Sequence, residues 1–364
     1  MQRLLKNFLR LVKISSPSGS EAVIRKVMIT QLRQLGVKIT VDHAGNVIGR
    51  LAGYGQLKSA PPYLLSAHLD TVQPCSKVKP VVRGSVIMSD GSTILGADDK
   101  AGLSIIIEVL QQLHDQPVAH LPLEIVLTVG EETYTAGARQ LDISKLHSAT
   151  GVTVDGTTIN CLNNASPGIA LIDVTVQGKA AHSGMEPEQG ISAIHIAAAG
   201  IARMKLGRIS SSTTANIGFI SGGSNRNSIP DRVTIQGEVR SHSPVQLEQQ
   251  LERMHKALED AAEQYGGTLH INSQFVVPSY SLKPINPALR KVRTVLERQL
   301  GQAVDLIQSC GVSDANIFNH KGITVVDVGT GVQRPHTVAE QIDLRDMEMI
   351  TRVVFDLIDT SNVF

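Results

Sequence analysis

The residues of this sequence that could do chemistry stand directly after short apolar runs. Four such runs are predicted to be buried strands: Tyr63–Ala67, Leu123–Val129, Gly151–Val154 and Ile323–Val328. The polar groups that follow them are, in chain order, His68 with Asp70, Glu131 with Glu132, Asp155, and His336. In open α/β sheets, ligands bind outside the carboxyl ends of the strands. We therefore expect these imidazoles and carboxylates to meet in one crevice.

A further acidic segment, Gly96–Gly102 (GADDKAG), lies before a predicted helix. Its two adjacent carboxylates, Asp98 and Asp99, cannot both be buried without a counter-charge, and a divalent cation would supply one. An aspartate before a helix is also a common N-cap. Capping is therefore the alternative role for either residue.

The candidate ligands are two histidines and several carboxylates, with no thiolate among them. This donor set suits zinc, and also manganese or cobalt. On zinc the pKa of a bound water falls to about 7, and a carboxylate that is not a ligand then serves as general base. Glu131 and Glu132 offer both functions at adjacent positions. Asp70 stands where a carboxylate orients the imidazole of His68.

Each of these signals has an ordinary explanation when it is taken alone. A histidine after a strand is commonly a surface or core residue. Glu131 with Glu132 is typical of a solvated loop, and Asp155 with Gly156 is typical of a turn. Five coincidences at matching topological positions favour a metal site over five unrelated features.

Composition excludes several other classes of protein. The 364 residues predict two or three domains. A net charge of +1 and only 3% aromatic residues argue against a nucleic-acid partner. No apolar stretch approaches the roughly 20 residues that cross a bilayer, and the first 19 residues are typical of an amphipathic helix rather than a signal peptide. Three scattered cysteines form neither a disulfide framework nor a zinc-thiolate motif, so we expect a cytoplasmic protein with no membrane association.

Strands and helices alternate over the first third of the chain, which predicts a mostly parallel sheet covered on both faces. Segment 168–280 has a different pattern, with the order βαββαβ of a ferredoxin-like domain. Its predicted helices are Gln189–Lys205 and Val245–Tyr265. The sequence therefore predicts a discontinuous α/β domain at 1–167 and 281–364, with an α+β domain inserted at 168–280.

Seven motifs in this order resemble one known family. Five lie in the α/β domain: SAHLDTV at 66–72, GADDKAG at 96–102, VGEE at 129–132, VDG at 154–156 and RPHT at 334–337. Two lie in the inserted domain: GKAAHSG at 178–184 and GGSNRNSIP at 222–230. The chain resembles, over nearly its whole length, the dizinc metallopeptidases that include peptidase T, glutamate carboxypeptidase, aminoacylase and succinyl-diaminopimelate desuccinylase.

The resemblance implies two divalent ions per subunit, with zinc expected and cobalt or manganese as alternatives. The implied ligands are His68 and Asp155 at one ion, Glu132 and His336 at the other, and Asp98 between them. Glu131 is implied as the general base, and Asp70 as the carboxylate that orients His68. Water between the ions would attack a peptide carbonyl.

The inserted domain is implied to be a lid and the dimerisation module of a homodimer. His182 resembles the family histidine that stabilises the oxyanion, often in the partner subunit's site. Asn227 and Arg240 resemble lid residues that contact the substrate, and Gly311 resembles part of a substrate-side loop. A turn residue, a strand-edge charge and a plain glycine loop are their ordinary alternatives.

The predicted activity is hydrolysis of short peptides by an aminopeptidase or tripeptidase. Asp155 and the GADDKAG motif are more similar to the peptidase T branch than to the carboxypeptidases. A carboxypeptidase or an N-acyl-amino-acid amidohydrolase is the alternative enzyme, and a metal-free peptide-binding relative is the alternative outside enzymes. A dinucleotide site is excluded, because two acids interrupt the glycine-rich segment and would repel a pyrophosphate.

Overall fold

The computed structural model describes residues 2–359 and divides into two compact units. The first unit runs up to Ala165 and resumes at Ser281, and the second comprises Ser166–Tyr280. The sequence predicts the inserted domain at 168–280, two residues later at its start than the structural division at Ser166. None of the helices among the described residues combines the length and the apolar character that spanning a membrane requires.

The secondary structure runs as follows. Up to residue 166 the helices are α1 (Gln2–Val12), α2 (Ala22–Gln34), α3 (Ala97–Asp115) and α4 (Ala136–Gln140), and the strands are β1 (Lys38–Val41), β2 (Val47–Leu51), β3 (Tyr63–His68), β4 (Pro80–Arg83), β5 (Val86–Ser89), β6 (Leu123–Thr128), β7 (Thr150–Gly156) and β8 (Cys161–Ser166). Then come β9 (Gly168–Gln177), α5 (Ala193–Arg203), β10 (Gly207–Ser210), β11 (Thr213–Gly222), β12 (Arg232–Ser241), α6 (Pro244–Tyr265), β13 (Thr268–Val277) and β14 (Tyr280–Ser281). The chain continues through α7 (Pro287–Leu300), β15 (Asp305–Gln308), α8 (Asp314–His320), β16 (Thr324–Gly329), β17 (Gln341–Asp343) and α9 (Leu344–Ile358). Short 3-10 turns occupy Gly55–Leu57, Ile143–Lys145 and Pro187–Gln189.

The large sheet has the order β1-β2-β6-β3-β7-β16-β8-β14, with β15 on β8. Its centre, β6-β3-β7-β16, is parallel, whereas β1, β2 and β8 join antiparallel. Every residue of β3 and β6 is buried, which requires cover on both faces of the sheet and explains why both strands are mostly apolar. A separate sheet, β17-β5-β4, is a feature that the sequence analysis did not predict.

Helix α3 packs on β3 and β7, and α8 packs on β7 and β16. Gly102 permits the first of these contacts. A Cβ atom at this position would lie 2.1 Å from the carbonyl oxygen of Val154 and 2.5 Å from a carboxylate oxygen of Asp99. The last glycine of the GADDKAG motif therefore lets α3 begin directly against β7, next to Asp155.

The second unit is an antiparallel sheet of order β10-β11-β12-β9-β13, with α5 and α6 packed side by side on it. The alternation along β9 places Ile172, Val174 and Val176 in its core. This is the predicted ferredoxin-like order with one added strand, β10, at the edge. The helix predicted from Gln189 begins only at Ala193, because Ser192 is the N-cap and accepts a hydrogen bond from the backbone N–H of His195.

Candidate metal centre

The parallel centre of the large sheet brings the predicted site residues of the first unit together. His68 is the last residue of β3, Asp155 is the penultimate residue of the adjacent β7, and Glu131 and Glu132 follow β6 on the other side of β3. His336 lies in the loop between β16 and β17. The expectation that the strand ends converge is met for all of these residues.

The carboxylate of Asp98 lies between two imidazoles. Its Oδ1 is 3.0 Å from Nε2 of His68, and its Oδ2 is 3.2 Å from Nε2 of His336. Each histidine has a second carboxylate: Oδ1 of Asp155 is 3.4 Å from Nε2 of His68, and Oε2 of Glu132 is 3.0 Å from Nε2 of His336. The five side chains thus form two half-sites that share Asp98.

Asp99 has a different role from its neighbour. Its Oδ2 accepts a hydrogen bond from the backbone N–H of His68 at 3.2 Å, and its Oδ1 accepts one from the N–H of Gly102 at 3.0 Å. The backbone at Asp98 and Asp99 is not helical, so the regular turns of α3 begin after them. Asp99 therefore caps the helix, although its side chain lies close to His68 and Asp155. The cis peptide bond of the segment joins Asp98 and Asp99.

Asp70 connects the histidine side of the site to the glutamate side. It accepts hydrogen bonds from the backbone N–H groups of Glu131 at 3.0 Å and Glu132 at 3.1 Å, and from the Ser18 hydroxyl at 2.7 Å. Its Oδ1 also lies 3.4 Å from Nδ1 of His68. Burial opposes ionisation, but the contacts with His68 and Ser18 lower the pKa of the Asp70 carboxyl.

A turn at Gly130 aims the two glutamates. Gly130 has a φ of +61°, which is accessible to glycine without steric cost. Glu131 is 8% exposed, and only 7% of the Glu132 side chain is exposed. Burial, reinforced by the charge of Asp155, raises the pKa of the Glu131 carboxyl well above its usual range.

The charges of the site call for a cation. Burial raises the pKa of both the Glu132 and the Asp155 carboxyls, and hydrogen bonds that His336 donates to Asp98 and Glu132 raise the pKa of His336 to about 10. Oε1 of Glu132 is buried without a hydrogen-bond partner among residues 2–359. Two imidazole nitrogens and three carboxylates at these spacings are a donor set that fits a pair of divalent ions.

Two buried carboxylates of the site were missed from the sequence. Asp314 accepts a hydrogen bond from the Thr128 hydroxyl, and burial, with Asp155 nearby, raises its pKa to about 7. Glu340 accepts hydrogen bonds from the backbone of the Gly96–Gly102 segment. The sequence signal that could have found them is their closeness to predicted site residues. Asp314 lies near Gly311, and Glu340 lies four residues after His336.

The predicted lid residues lie in the second unit. The ring nitrogen Nδ1 of His182 accepts hydrogen bonds from the N–H groups of Gly184 and Met185, at 3.2 and 3.1 Å. The N–H of Ser183 donates to the carbonyl of Asn227, so the His182 and Asn227 loops are neighbours. Arg240 pairs with Glu238 at 2.7 Å. The substrate roles of His182, Asn227 and Arg240 stay predictions.

Gly311 lies in the first unit, in the loop between β15 and α8, and is exposed. Its N–H donates to the Ser309 hydroxyl at 3.0 Å. Its assignment to a substrate-side loop also stays a prediction.

The fold and the site define the class. A parallel α/β domain that gathers imidazoles and carboxylates at its strand ends, interrupted by a ferredoxin-like insertion, is an arrangement suited to a metal-dependent hydrolase.

Comparison with known proteins agrees with this class. A family model described as a peptidase dimerisation domain matches residues 164–266, and one described as peptidase family M28 matches residues 46–160. The protein YqjE of Bacillus subtilis (strain 168) is 36% identical, with 98% of each chain covered. The crystal structure of a tripeptidase from Staphylococcus aureus subsp. aureus Mu50 is 34% identical, with a TM-score of 0.92 over 99% of this chain and 98% of that one. The aminopeptidase PepT of Bacillus cereus ATCC 10987 is also 34% identical, with a TM-score of 0.87 over 98% of both chains.

The chain belongs to the peptidase T-like family of metallopeptidases, and its activity is metal-dependent hydrolysis of peptide bonds. The resemblance inferred from the motifs is thereby confirmed, as are the fold class and the enzyme class. Identity of this level over nearly the full length of the relatives places both units of the chain within the family.

Proposed function

We propose that this enzyme removes the amino-terminal residue from short peptides, with tripeptides as the main substrates, at a centre of two zinc ions. The observation that carries the proposal is Asp98, whose two carboxylate oxygens face two different histidines, with the buried carboxylate of Glu131 on the neighbouring strand end. The names of the tripeptidase and aminopeptidase relatives support the substrate class.

The proposed ligands divide between two ions. They are His68 and Asp155 at the first ion, Glu132 and His336 at the second, and Asp98 at both. When bound, the ions would polarise the scissile carbonyl and make water a stronger nucleophile near neutral pH. Cobalt and manganese accept the same donors, so the metal is to be decided by analysis of the purified protein.

Glu131 is the proposed general base. Its buried carboxyl has a raised pKa, so it can take a proton from the attacking water and return it to the leaving amine. Asp70 holds this residue in place, because it accepts the backbone N–H of Glu131 while it also lies against the ring of His68. One carboxylate thereby orients both a ligand and the base.

His182 is the proposed oxyanion donor. In the neutral imidazole, an Nδ1 that accepts hydrogen bonds leaves the proton on Nε2. Nε2–H is then free to donate to a substrate oxygen. Asn227, Arg240 and Gly311 are proposed to contact the substrate around it.

The proposed assembly is a homodimer through the second unit. The match to a peptidase dimerisation domain supports this assembly. The matched residues 164–266 include the edge strand segment in β11 that is proposed to pair, whereas β13 lies beyond them. Strand β10 pairs only with Thr213–Ala215, so residues 216–222 of β11 have no further strand on that edge among the described residues. Phe219 and Ile220, about half exposed at 49% and 52%, lie on this segment. An open edge with apolar side chains is suited to pairing with the same edge of a second copy.

The proposed location is the cytoplasm. Cys75, Cys161 and Cys310 are all free thiols, and Cys310 is exposed. Such thiols persist where the environment is reducing.

Peptides with free and blocked ends test the substrate class. With zinc supplied, we expect trialanine and its carboxyl-terminal amide to be cleaved, and N-acetyl-trialanine to be resistant, because an aminopeptidase must recognise the free amine. Product analysis by mass spectrometry should show release of the first residue. Release of acetate from the acetylated peptide would instead support the amidohydrolase. Release of the last residue from the acetylated peptide, with the amide resistant, would support the carboxypeptidase.

Mixed dimers test the position of His182. We expect the His182→Ala and Glu131→Gln homodimers each to lose about 10²- to 10³-fold or more in kcat. If His182 acts on the partner's site, a purified heterodimer of the two regains activity at one of its two sites. About half of the wild-type rate is then expected, measured after tandem affinity purification of differently tagged subunits. A heterodimer as inactive as its parents would place His182 in its own subunit's site, and a His182→Ala homodimer with wild-type kcat would place it outside the chemistry.

A further inference from the structure

Glu340 is a fully buried carboxylate that the proposed mechanism does not use. It is 0% exposed and lies in the loop between β16 and β17, four residues after His336. Its Oε2 accepts a hydrogen bond from the N–H of Gly96 at 2.7 Å, and its Oε1 accepts one from the N–H of Asp98 at 3.0 Å. Both oxygens are therefore engaged with the backbone of one segment.

These bonds hold the backbone of Asp98. The segment is irregular there: Gly96 has a φ of +72°, and Asp98 has non-helical dihedral angles. Its N–H groups therefore need a partner outside the helix. Glu340 is that partner for Gly96 and Asp98, so the carboxylate acts as the anchor of the turn from which the Asp98 side chain projects.

The same loop also carries His336, which faces Oδ2 of Asp98 at 3.2 Å. One short stretch of chain, residues 336–340, thus contacts Asp98 twice: through a ring nitrogen at its carboxylate and through a carboxylate at its backbone. Glu340 therefore ties the backbone of Asp98 to the loop that carries His336.

Glu340 is distinct from the ligand carboxylates. An oxygen that accepts a short hydrogen bond from a backbone N–H is directed at that hydrogen, and this holds for both oxygens of Glu340. Glu132 differs, since its Oε1 is buried without a partner among the described residues while its Oε2 faces His336. The two glutamates therefore have different roles: Glu340 binds the backbone of Gly96 and Asp98, whereas Glu132 faces the ring of His336.

We propose that Glu340 is a positioning residue that sets the orientation of Asp98 toward both histidines, and so tunes the affinity of the site for its second divalent ion. The inference rests on the proposed function, because it takes Asp98 as the ligand shared by two ions. It adds a residue that touches neither substrate nor ion and acts through Asp98.

Glu340→Gln is the sharpest test. Glutamine has nearly the same shape, but one of its two ends is an NH₂ donor, which would face a backbone N–H and leave one hydrogen bond unmade. We expect the affinity for the second zinc ion to fall about 10- to 100-fold and kcat to fall by a similar factor, with KM changed by less than about threefold. Glu340→Asp retains two acceptors on a shorter arm, so its losses should lie between those of wild type and Glu340→Gln.

Glu124→Gln is the matched control. Glu124 is also a buried carboxylate, 2% exposed, and accepts two backbone N–H bonds, from His147 and Ser148 at 2.8 and 2.9 Å. It lies near the start of β6, whereas the metal-centre residues follow the end of that strand. We expect Glu124→Gln to lower Tm as Glu340→Gln does, while the metal affinity and kcat of the control stay at wild-type values.

Metal affinity is measured on the metal-free protein by titration calorimetry with zinc, and the geometry by the visible absorption of the cobalt-loaded protein. A Glu340→Gln protein with wild-type zinc affinity and cobalt spectrum would overturn the inference. If that variant does not fold, Glu340→Asp decides in its place, with a loss of about 3- to 10-fold expected and wild-type affinity contradicting it. If wild type binds two ions but cleaves no peptide, the proposed function fails while the titrations still test Glu340.

Discussion

Glu131→Gln is expected to lower kcat for tripeptide hydrolysis by about 10²- to 10⁴-fold, because the general base is removed. The glutamine keeps the size of the side chain and leaves the backbone N–H that donates to Asp70 in place. Glu131 is not among the groups whose donor atoms cluster with His68 and Asp98, so zinc content should stay at the wild-type level. The variant therefore separates chemistry from metal binding.

Glu132→Gln is the informative contrast at the next position. Its Oε2 lies 3.0 Å from Nε2 of His336, so the amide should weaken one ion site and lower activity through metal loss. Activity of Glu132→Gln should recover in part at high zinc concentration, and that of Glu131→Gln should not. Steady-state kinetics and metal analysis on the same samples distinguish loss of the general base from loss of metal. A Glu131→Gln enzyme with near-wild-type kcat would mean that another group is the base.

The second large effect is expected for Asp98→Asn. The Asp98 carboxylate offers one oxygen on the side of His68 and one on the side of His336. An amide has one acceptor oxygen and one NH₂ donor, so it can offer a ligand oxygen on one side only. We expect the protein to retain at most one ion with wild-type affinity, and kcat to fall by at least about 10³-fold as charge stabilisation in the transition state is lost. Elemental analysis of the dialysed protein gives the stoichiometry.

A second readout for Asp98→Asn needs no substrate. In the metal-free protein the hydrogen bond that His336 donates to Asp98 is the largest cause of the raised pKa of His336, which is about 10. Removing the negative charge should move this pKa down toward its usual range, as followed by NMR titration of the ring protons. Asp173→Asn, whose carboxylate pairs only locally with Gln236 in the second unit, is the control for stoichiometry. Two tightly bound ions in Asp98→Asn would contradict the shared ligand.

Much of the first unit could be predicted because its strands are buried on both faces. Such strands are mostly apolar, and their ends are marked by an ionisable side chain, as at His68 and Asp155. The small sheet of β4, β5 and β17 could not be found this way. Its strands are short and half-exposed, and they pair across more than 250 residues of sequence, as between Ile87 and Ile342.

The start of α5 shows the limit of periodicity. Residues 189–205 have an apolar pattern that suits a helix throughout, yet a 3-10 turn at Pro187–Gln189 and the Ser192 cap delay the helix to Ala193. A capping bond forms only where the preceding turn places the cap residue next to a free backbone N–H. The apolar pattern carries no information about that placement. The added strand β10 was missed for a related reason, since it has only four residues, of which the first two are exposed, and so carries little periodic signal.

The sequence by itself determined which residue types are available for the metal centre and that they stand at strand ends, because hydrophobic runs and their polar ends are written along the chain. Residue types alone left both adjacent aspartates open as ligand or cap, and the motif resemblance implied Asp98 as the ligand. Only the tertiary structure decided that Asp99 points both oxygens at backbone N–H groups while Asp98 faces two histidines from distant loops. The physical reason is that the direction of each carboxylate depends on the local dihedral angles and on the loop that holds Glu340. This loop is distant in sequence and contacts Asp98 only in the folded chain.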